Sequence, residues 1–89
     1  MSKYLVTYDI QNGDADNYNA INSKIENSFP NNCKILTTSY VFSANNADLS
    51  GLREKMEKAT TKKVRSIIVS ISGYSWRLED ADCVKKYLP

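Results

Sequence analysis

The chain has 89 residues, enough for one hydrophobic core, so we treat residues 1–89 as a single domain. Its 42% hydrophobic and 25% charged residues are typical of a folded protein, and a net charge of +2 hardly biases its choice of partner. The sequence contains no histidine, which excludes Ser-His-Asp and Cys-His catalysis, histidine bases and HExxH zinc sites. Any chemistry must therefore use carboxylates, hydroxyls, amines or a bound metal ion.

The first half of the chain predicts a strand, a helix and two further strands. KYLVTYDI, residues 3–10, alternates side chains between two faces as a strand does. The next helix begins at a cap, Asp14 or Asp16, and ends before Pro30. Its apolar stripe consists of Tyr18, Ile21, Ile25 and Phe29. The runs CKILTT and SYVFSA then predict a hairpin whose strands meet near residues 37–39.

The second half predicts another helix, a last strand and a short tail. Asn45 and Asn46 supply the helix cap. The apolar stripe of this helix consists of Leu49, Leu52, Met56 and Ala59. VRSIIVSISG alternates apolar side chains with serines, which predicts a strand. In the tail, either Asp80 caps a short helix, or Arg77 and Leu78 extend an edge strand.

The order of these elements predicts an α+β fold. The order β-α-β-β-α-β plus a C-terminal tail is the ferredoxin-like, or split βαβ, pattern. We therefore expect an antiparallel sheet with both helices on one face, and Tyr8 and Tyr40 packed beneath the helices.

The two cysteines, Cys33 and Cys83, lie far apart and lack the CxxC spacing of a zinc or redox site. We expect both to be reduced, small, buried hydrophobic side chains. The N-terminal segment is too short and polar for a signal peptide, and no apolar run approaches the roughly 18 residues of a membrane span. The sequence therefore predicts a cytoplasmic protein without a membrane partner.

Asp9 is the principal candidate for chemistry, because it ends the first strand on the face opposite its buried aromatic row. A helix or turn cap is the alternative role for this carboxylate. Asp14 and Asp16 follow closely and suit a hard ion such as Mg²⁺ or Mn²⁺, although we favour helix capping as their role. One aspartate per chain is too few for metal-assisted phosphodiester hydrolysis, but a two-fold dimer would bring two Asp9 carboxylates to one ion. Without a metal ion, such a pair would need a counter-ion or a raised pKa.

Basic and aromatic residues near the last strand are candidates for contacts. Lys62, Lys63 and Arg65 precede or begin the strand and Arg77 follows it, so we predict that they contact phosphates of RNA or DNA. A solvated surface is the alternative for any single lysine. We predict Tyr74 and Trp76 as dimer contacts, with stacking on bases as the alternative.

Five segments, taken in order, resemble the small CRISPR-associated spacer-integration protein and its bacterial relatives, some of them labelled SinR-like. They are YLVTYDI with its Asp9, NYNAINSKIENSF, TTSYVFSA, DLSGLREKM, and IIVSISG with the following Tyr74-Ser75-Trp76. The resemblance covers residues 3 to about 76. It implies a ferredoxin-like fold, a two-fold homodimer, and Mg²⁺-dependent cleavage of RNA or DNA by the strand-end aspartate, which is Asp9.

The sequence thus leaves two hypotheses. The first is a homodimeric endonuclease that uses Mg²⁺ or Mn²⁺, with Asp9 as catalytic metal ligand and with Ser39 or Asp14 assisting. The second is a non-catalytic dimeric scaffold or nucleic-acid-binding module, of phage or mobile-element origin, that joins a protein or nucleic-acid complex.

Overall fold

The computed structural model describes residues 1–78 and 82–89. Its elements are β1 (Ser2–Ile10), α1 (Ala15–Ser28), β2 (Asn32–Leu36), β3 (Ser39–Ala44), α2 (Leu49–Lys58), β4 (Val64–Ser70) and α3 (Val84–Tyr87). The predicted α+β class is confirmed, as is the hairpin at residues 37–38. In the tail, Arg77 and Leu78 do not extend a strand, and the predicted cap Asp80 lies outside the described residues.

The four strands form one antiparallel sheet in the order β2-β3-β1-β4. β1 is central and pairs with β3 on one side and with β4 on the other. β2 and β4 are consequently the two edges. The β1–β4 register places Asp9 directly opposite Arg65 and Thr7 opposite Ile67.

The main core lies between one face of the sheet and the two long helices, which bury their predicted apolar stripes there. It contains Tyr4, Val6, Tyr8, Ile10, Ile21, Ile25, Tyr40, Phe42, Leu52 and Met56. The predicted position of Tyr8 and Tyr40 beneath the helices is confirmed. The Tyr8 hydroxyl donates to Asn22 Oδ1 at 2.5 Å, and the Tyr40 hydroxyl donates to Glu26. Both buried phenols are thereby satisfied.

Aspartates cap both long helices. Asp14 Oδ1 accepts a hydrogen bond from the Asn17 backbone N–H at 3.0 Å and completes a capping box, which confirms the interpretation of Asp14 as a cap. The prediction that Asn45 or Asn46 caps α2 was wrong. Asp48 immediately precedes the helix and accepts from the Gly51 N–H at 2.9 Å. Asn46 instead takes a φ of 52° in the preceding turn.

A second apolar cluster lies on the opposite face of the sheet, where residues 82–89 pack across β2 and β3. Its buried members are Cys33, Val41, Val84, Tyr87 and Leu88. The prediction of two reduced, buried cysteines was wrong: Cys33 and Cys83 form a disulfide with their Cα atoms 5.7 Å apart, and Cys83 is exposed. The tail returns over the strand that carries Cys33, and sequence spacing gives no sign of this return.

The rest of that face stays uncovered along β1 and β4. We call it the open sheet face and define it by Thr7, Asp9, Arg65, Ile67 and Val69. Ile67 is 63% exposed and Val69 41% exposed, although both are large aliphatic side chains. Among the residues that the structure describes, no helix is long and apolar enough to cross a bilayer.

Candidate functional site

Asp9 is the penultimate residue of β1 and projects onto the open sheet face. The alternation of β1 buries Tyr8 and Ile10 on the helix side and leaves Asp9 exposed. A tight turn follows, in which the Gly13 N–H donates to the Ile10 carbonyl at 3.2 Å. A Cβ at Gly13 would lie 2.7 Å from the Ile10 Cβ, so glycine permits this close approach. The turn brings α1, and with it Tyr18, to the strand end.

The Asp9 carboxylate has two side-chain partners. Arg65 Nη2 donates to Oδ2 at 2.5 Å, and the Tyr18 hydroxyl donates to Oδ1 at 3.3 Å. The Arg65 hydrogen bond is the main cause that lowers the pKa of Asp9 below its usual range. Asp9 is therefore ionised at neutral pH, the form in which a carboxylate binds a metal ion or a cation.

A single chain supplies few oxygen ligands around Asp9. Within residues 1–78 and 82–89, no group of three or more Cys, Asp or Glu side chains is placed to hold a metal ion. Asp14 is engaged in capping α1, and Asp16 lies in the first turn of that helix. The donor set around Asp9 would fit a divalent ion better with a second carboxylate from another chain.

Ser39 lies on the same side of the sheet as Asp9 but already has a partner. Its side chain is nearly buried, and its hydroxyl shares a hydrogen bond of 2.8 Å with the Thr7 hydroxyl across the β1–β3 pair. With that partner and no histidine to deprotonate it, Ser39 is better suited to holding β3 against β1 than to nucleophilic attack.

The predicted phosphate contacts divide between two places. Lys62 and Lys63 are exposed beside Arg65 and Asp9, because β4 begins where β1 ends and the Gln11 N–H donates to the Lys63 carbonyl at 2.9 Å. Arg77 is exposed in the tail, beyond the opposite end of β4. The structure therefore groups three of the four predicted cations near Asp9.

The predicted dimer contacts Tyr74 and Trp76 both bond to the end of their own chain. The Tyr74 hydroxyl donates to the Pro89 carbonyl at 3.0 Å, and Trp76 Nε1 donates to the Leu88 carbonyl at 2.7 Å. Trp76 also packs against the second apolar cluster, whereas Tyr74 stays 48% exposed. Within this chain, the two aromatic residues help to hold the tail.

One basic site has no counterpart in the sequence predictions. A cleft of about 420 Å³ between α1 and α2 is lined by Lys24, Asn27, Ser28, Lys55 and Lys58. No carboxylate lines it, and none of its lysines forms an ion pair in the described part of the chain. We call it the lysine cleft. The pairing of Lys24 with Lys55 and Lys58 depends on how the two helices pack, so no local sequence pattern reveals it.

No family model, no curated protein and no solved structure matches the chain.

Proposed function

We propose that the protein is a ferredoxin-like homodimer that acts as a metal-dependent endonuclease on RNA or DNA. The observation that carries this proposal is the ionised, exposed Asp9 at the strand end of an open, partly apolar sheet face. The element order and the sheet order β2-β3-β1-β4 support the ferredoxin-like assignment. The resemblance of its segments to the CRISPR-associated proteins points in the same direction.

The proposed dimer joins two open sheet faces. Packed sheets lie about 10 Å apart, a gap that two aspartate side chains and one ion with metal–oxygen bonds of about 2.1 Å can span. Edge-to-edge pairing through β4 would instead separate the two β1 strands by three strand spacings, or roughly 14 Å. Of these two arrangements, the face-to-face one lets both Asp9 carboxylates bind one ion. It also buries Ile67 and Val69, which are exposed in the single chain.

Mg²⁺ or Mn²⁺ between the two Asp9 carboxylates would supply Lewis-acid activation of water for attack on a phosphodiester. Asp9 holds the charge that attracts the ion. Arg65 lowers the pKa of Asp9 and, being 69% exposed at its side chain, could turn toward a substrate phosphate if an ion took its place at Asp9. Lys62 and Lys63 are exposed just before β4 and add positive charge beside Arg65.

The ion pair between Asp9 and Arg65 favours a second candidate function, a non-catalytic dimeric scaffold or nucleic-acid-binding module. Two Asp9 carboxylates near a two-fold axis would repel each other unless a cation balances them. Arg65 already provides that cation at 2.5 Å, so the dimer needs no metal ion to satisfy Asp9. Under this alternative, Asp9 and Arg65 are interface residues.

Cleavage of labelled RNA and duplex DNA in Mg²⁺, Mn²⁺ or EDTA tests the nuclease proposal. We expect metal-dependent cleavage by the unaltered protein and a loss of at least about 100-fold in Asp9→Asn, equivalent to a barrier increase of about 2.7 kcal/mol. Asp16→Asn is the matched control, because it makes the same change at an exposed aspartate in the first turn of α1.

Mn²⁺ binding provides a readout independent of turnover. One ion per dimer, lost in Asp9→Asn and retained in Asp16→Asn, supports the shared site. Full activity in Asp9→Asn would eliminate Asp9 as the catalytic residue. A dimer that neither binds Mn²⁺ nor cleaves any substrate supports the scaffold instead.

A further inference from the structure

The Cys33–Cys83 disulfide fixes the end of the chain to the sheet. Cys33 lies in β2, and Cys83 immediately precedes α3, 50 residues further along the chain. We call residues 82–89 the C-terminal strap. The strap contains a helix of four residues, Val84–Tyr87, which is too short to be stable without tertiary contacts.

The strap covers an apolar part of the sheet. Val84, Tyr87 and Leu88 are 0%, 6% and 5% exposed. Beneath and around them lie Leu5, Ile35, Val41, Ile71 and Trp76. This covered area adjoins the open sheet face, since Leu5 pairs directly with Val69 in the β1–β4 ladder. Opening the strap would therefore join two apolar areas into one.

The two cysteines differ in exposure. Cys33 is 1% exposed, whereas Cys83 is an exposed residue. Thiol–disulfide exchange requires a thiolate to approach one of the two sulfurs directly. Of the two cysteines, Cys83 is therefore the one open to a small thiol in solution.

We propose that the Cys33–Cys83 bond is a thiol-exchange site for low-molecular-weight thiols, and that its reduction increases opening of the C-terminal strap. The thiolate attacks Cys83 Sγ, a mixed disulfide forms there, and the original bond breaks with its electron pair on Cys33, which takes up a proton. A second thiol attacks the reductant sulfur of the mixed disulfide, which releases the oxidised reductant and leaves Cys83 as a thiol. Two thiols thus supply the two electrons and two protons that the protein gains.

The redox state of the compartment then determines whether the strap is held covalently. Cytosolic thiol pools keep most cysteines reduced, so the strap would be covalently closed only under oxidising conditions. The proposal does not depend on the role of Asp9, because Cys33 and Cys83 belong to the other part of this face.

Hydrogen exchange followed by mass spectrometry tests the opening. We expect amides of the strap, including the Leu88 N–H that donates to the Val84 carbonyl at 2.8 Å, to exchange at least about tenfold faster in dithiothreitol than in the oxidised protein. Amides of β1 and β3 serve as the internal control and should keep their protection. Trp76 is the only tryptophan, so its emission should shift to longer wavelength as the strap opens.

Cys33→Ala/Cys83→Ser separates loss of the bond from effects of the reductant. This variant should show fast strap exchange with or without dithiothreitol. Strap exchange that is equally slow before and after reduction overturns the proposal, as does loss of protection throughout the sheet, because the opening would then not be local.

Glutathione identifies the exchanging sulfur. At partial reduction, peptide mapping should find the glutathione adduct on Cys83. An adduct on Cys33 would contradict the proposed chemistry. Two titratable free thiols in protein that has not been treated with a reductant would contradict it as well.

Discussion

Arg65 and Asp9 lie directly opposite each other on neighbouring antiparallel strands, and the Arg65 guanidinium donates to Asp9 Oδ2 at 2.5 Å. Their side chains are 69% and 56% exposed, so salt screens the pair and its contribution to folding stability is small. The pair acts mainly on the pKa of Asp9, which the Arg65 hydrogen bond lowers. Whether Arg65 stays bound to Asp9 determines whether the two side chains are available to an ion, a phosphate or another chain.

Arg65→Gln should raise the pKa of Asp9 toward the ordinary aspartate value of 3.8, because the main hydrogen bond that lowers it is removed. Because the pKa of Asp9 is lower in the folded state than in the unfolded state, the pair stabilises the fold above pH 3.8. This stabilisation is lost as the pH falls through the folded-state pKa. Carboxyl carbon shifts followed by NMR between pH 2 and 6 measure the change. Tyr18→Phe should raise the pKa less, and an unchanged Asp9 titration in Arg65→Gln would contradict the assigned cause.

The sequence alone is sufficient to assign Asp9 to one face of the sheet, because successive side chains of a strand point to opposite sides. Its partner Arg65 is 56 residues away, and the β1–β4 register depends on packing of the whole sheet. The Cys33–Cys83 bond and the lysine cleft escape sequence reasoning for the same reason. Each joins residues from elements that only the tertiary fold brings together.

The exposed aliphatic side chains of β4 predict where the proposed dimer would form. Ile67→Ser/Val69→Thr should raise the dimer dissociation constant at least about tenfold, since each substitution removes apolar area from the proposed interface. The fold should tolerate the change to within about 0.5 kcal/mol, because both side chains are exposed. Sedimentation velocity over a concentration series measures the dissociation constant.

Leu36→Ser is the matched control for this interface. Leu36 is 58% exposed but lies on the opposite edge strand, β2, so its loss should leave the dimer intact. Dissociation caused by Leu36→Ser, together with a stable Ile67→Ser/Val69→Thr dimer, would locate the interface at β2 instead.

The lysine cleft predicts phosphate binding on the helix side of the molecule. Lys24→Gln/Lys55→Gln/Lys58→Gln should weaken binding of labelled RNA or DNA in EDTA and flatten its salt dependence by about one unit of log–log slope for each lost phosphate contact. Fluorescence anisotropy at several salt concentrations measures both effects. Working in EDTA separates this binding from the proposed metal-dependent cleavage at Asp9.

A second triple variant controls for the change in net charge. Lys3→Gln/Lys34→Gln/Lys86→Gln removes the same charge from residues that do not line the cleft. Equal weakening by both variants would show that the nucleic acid responds to total charge and not to the cleft.

Buried tyrosines predict sensitivity of the fold to high pH. Burial, with smaller effects of Tyr18 and Glu26, raises the pKa of Tyr8 to about 12 from an ordinary value of 10.0. Burial and the hydrogen bond to Glu26 raise the pKa of Tyr40 still further. Because the unfolded chain loses these protons first, the stabilisation is complete below pH 10 and falls as the pH rises toward 12.

Urea unfolding at intervals between pH 8 and 11.5 should therefore show a free energy of unfolding that decreases above pH 10. Tyr8→Phe should be less stable at pH 8, because Asn22 Oδ1 loses its 2.5 Å donor, and should show a shallower decrease above pH 10. Tyr74→Phe, at an exposed position, should reproduce the full decrease. A decrease of the same slope in Tyr8→Phe would mean that ionisation of Tyr8 does not limit stability at high pH.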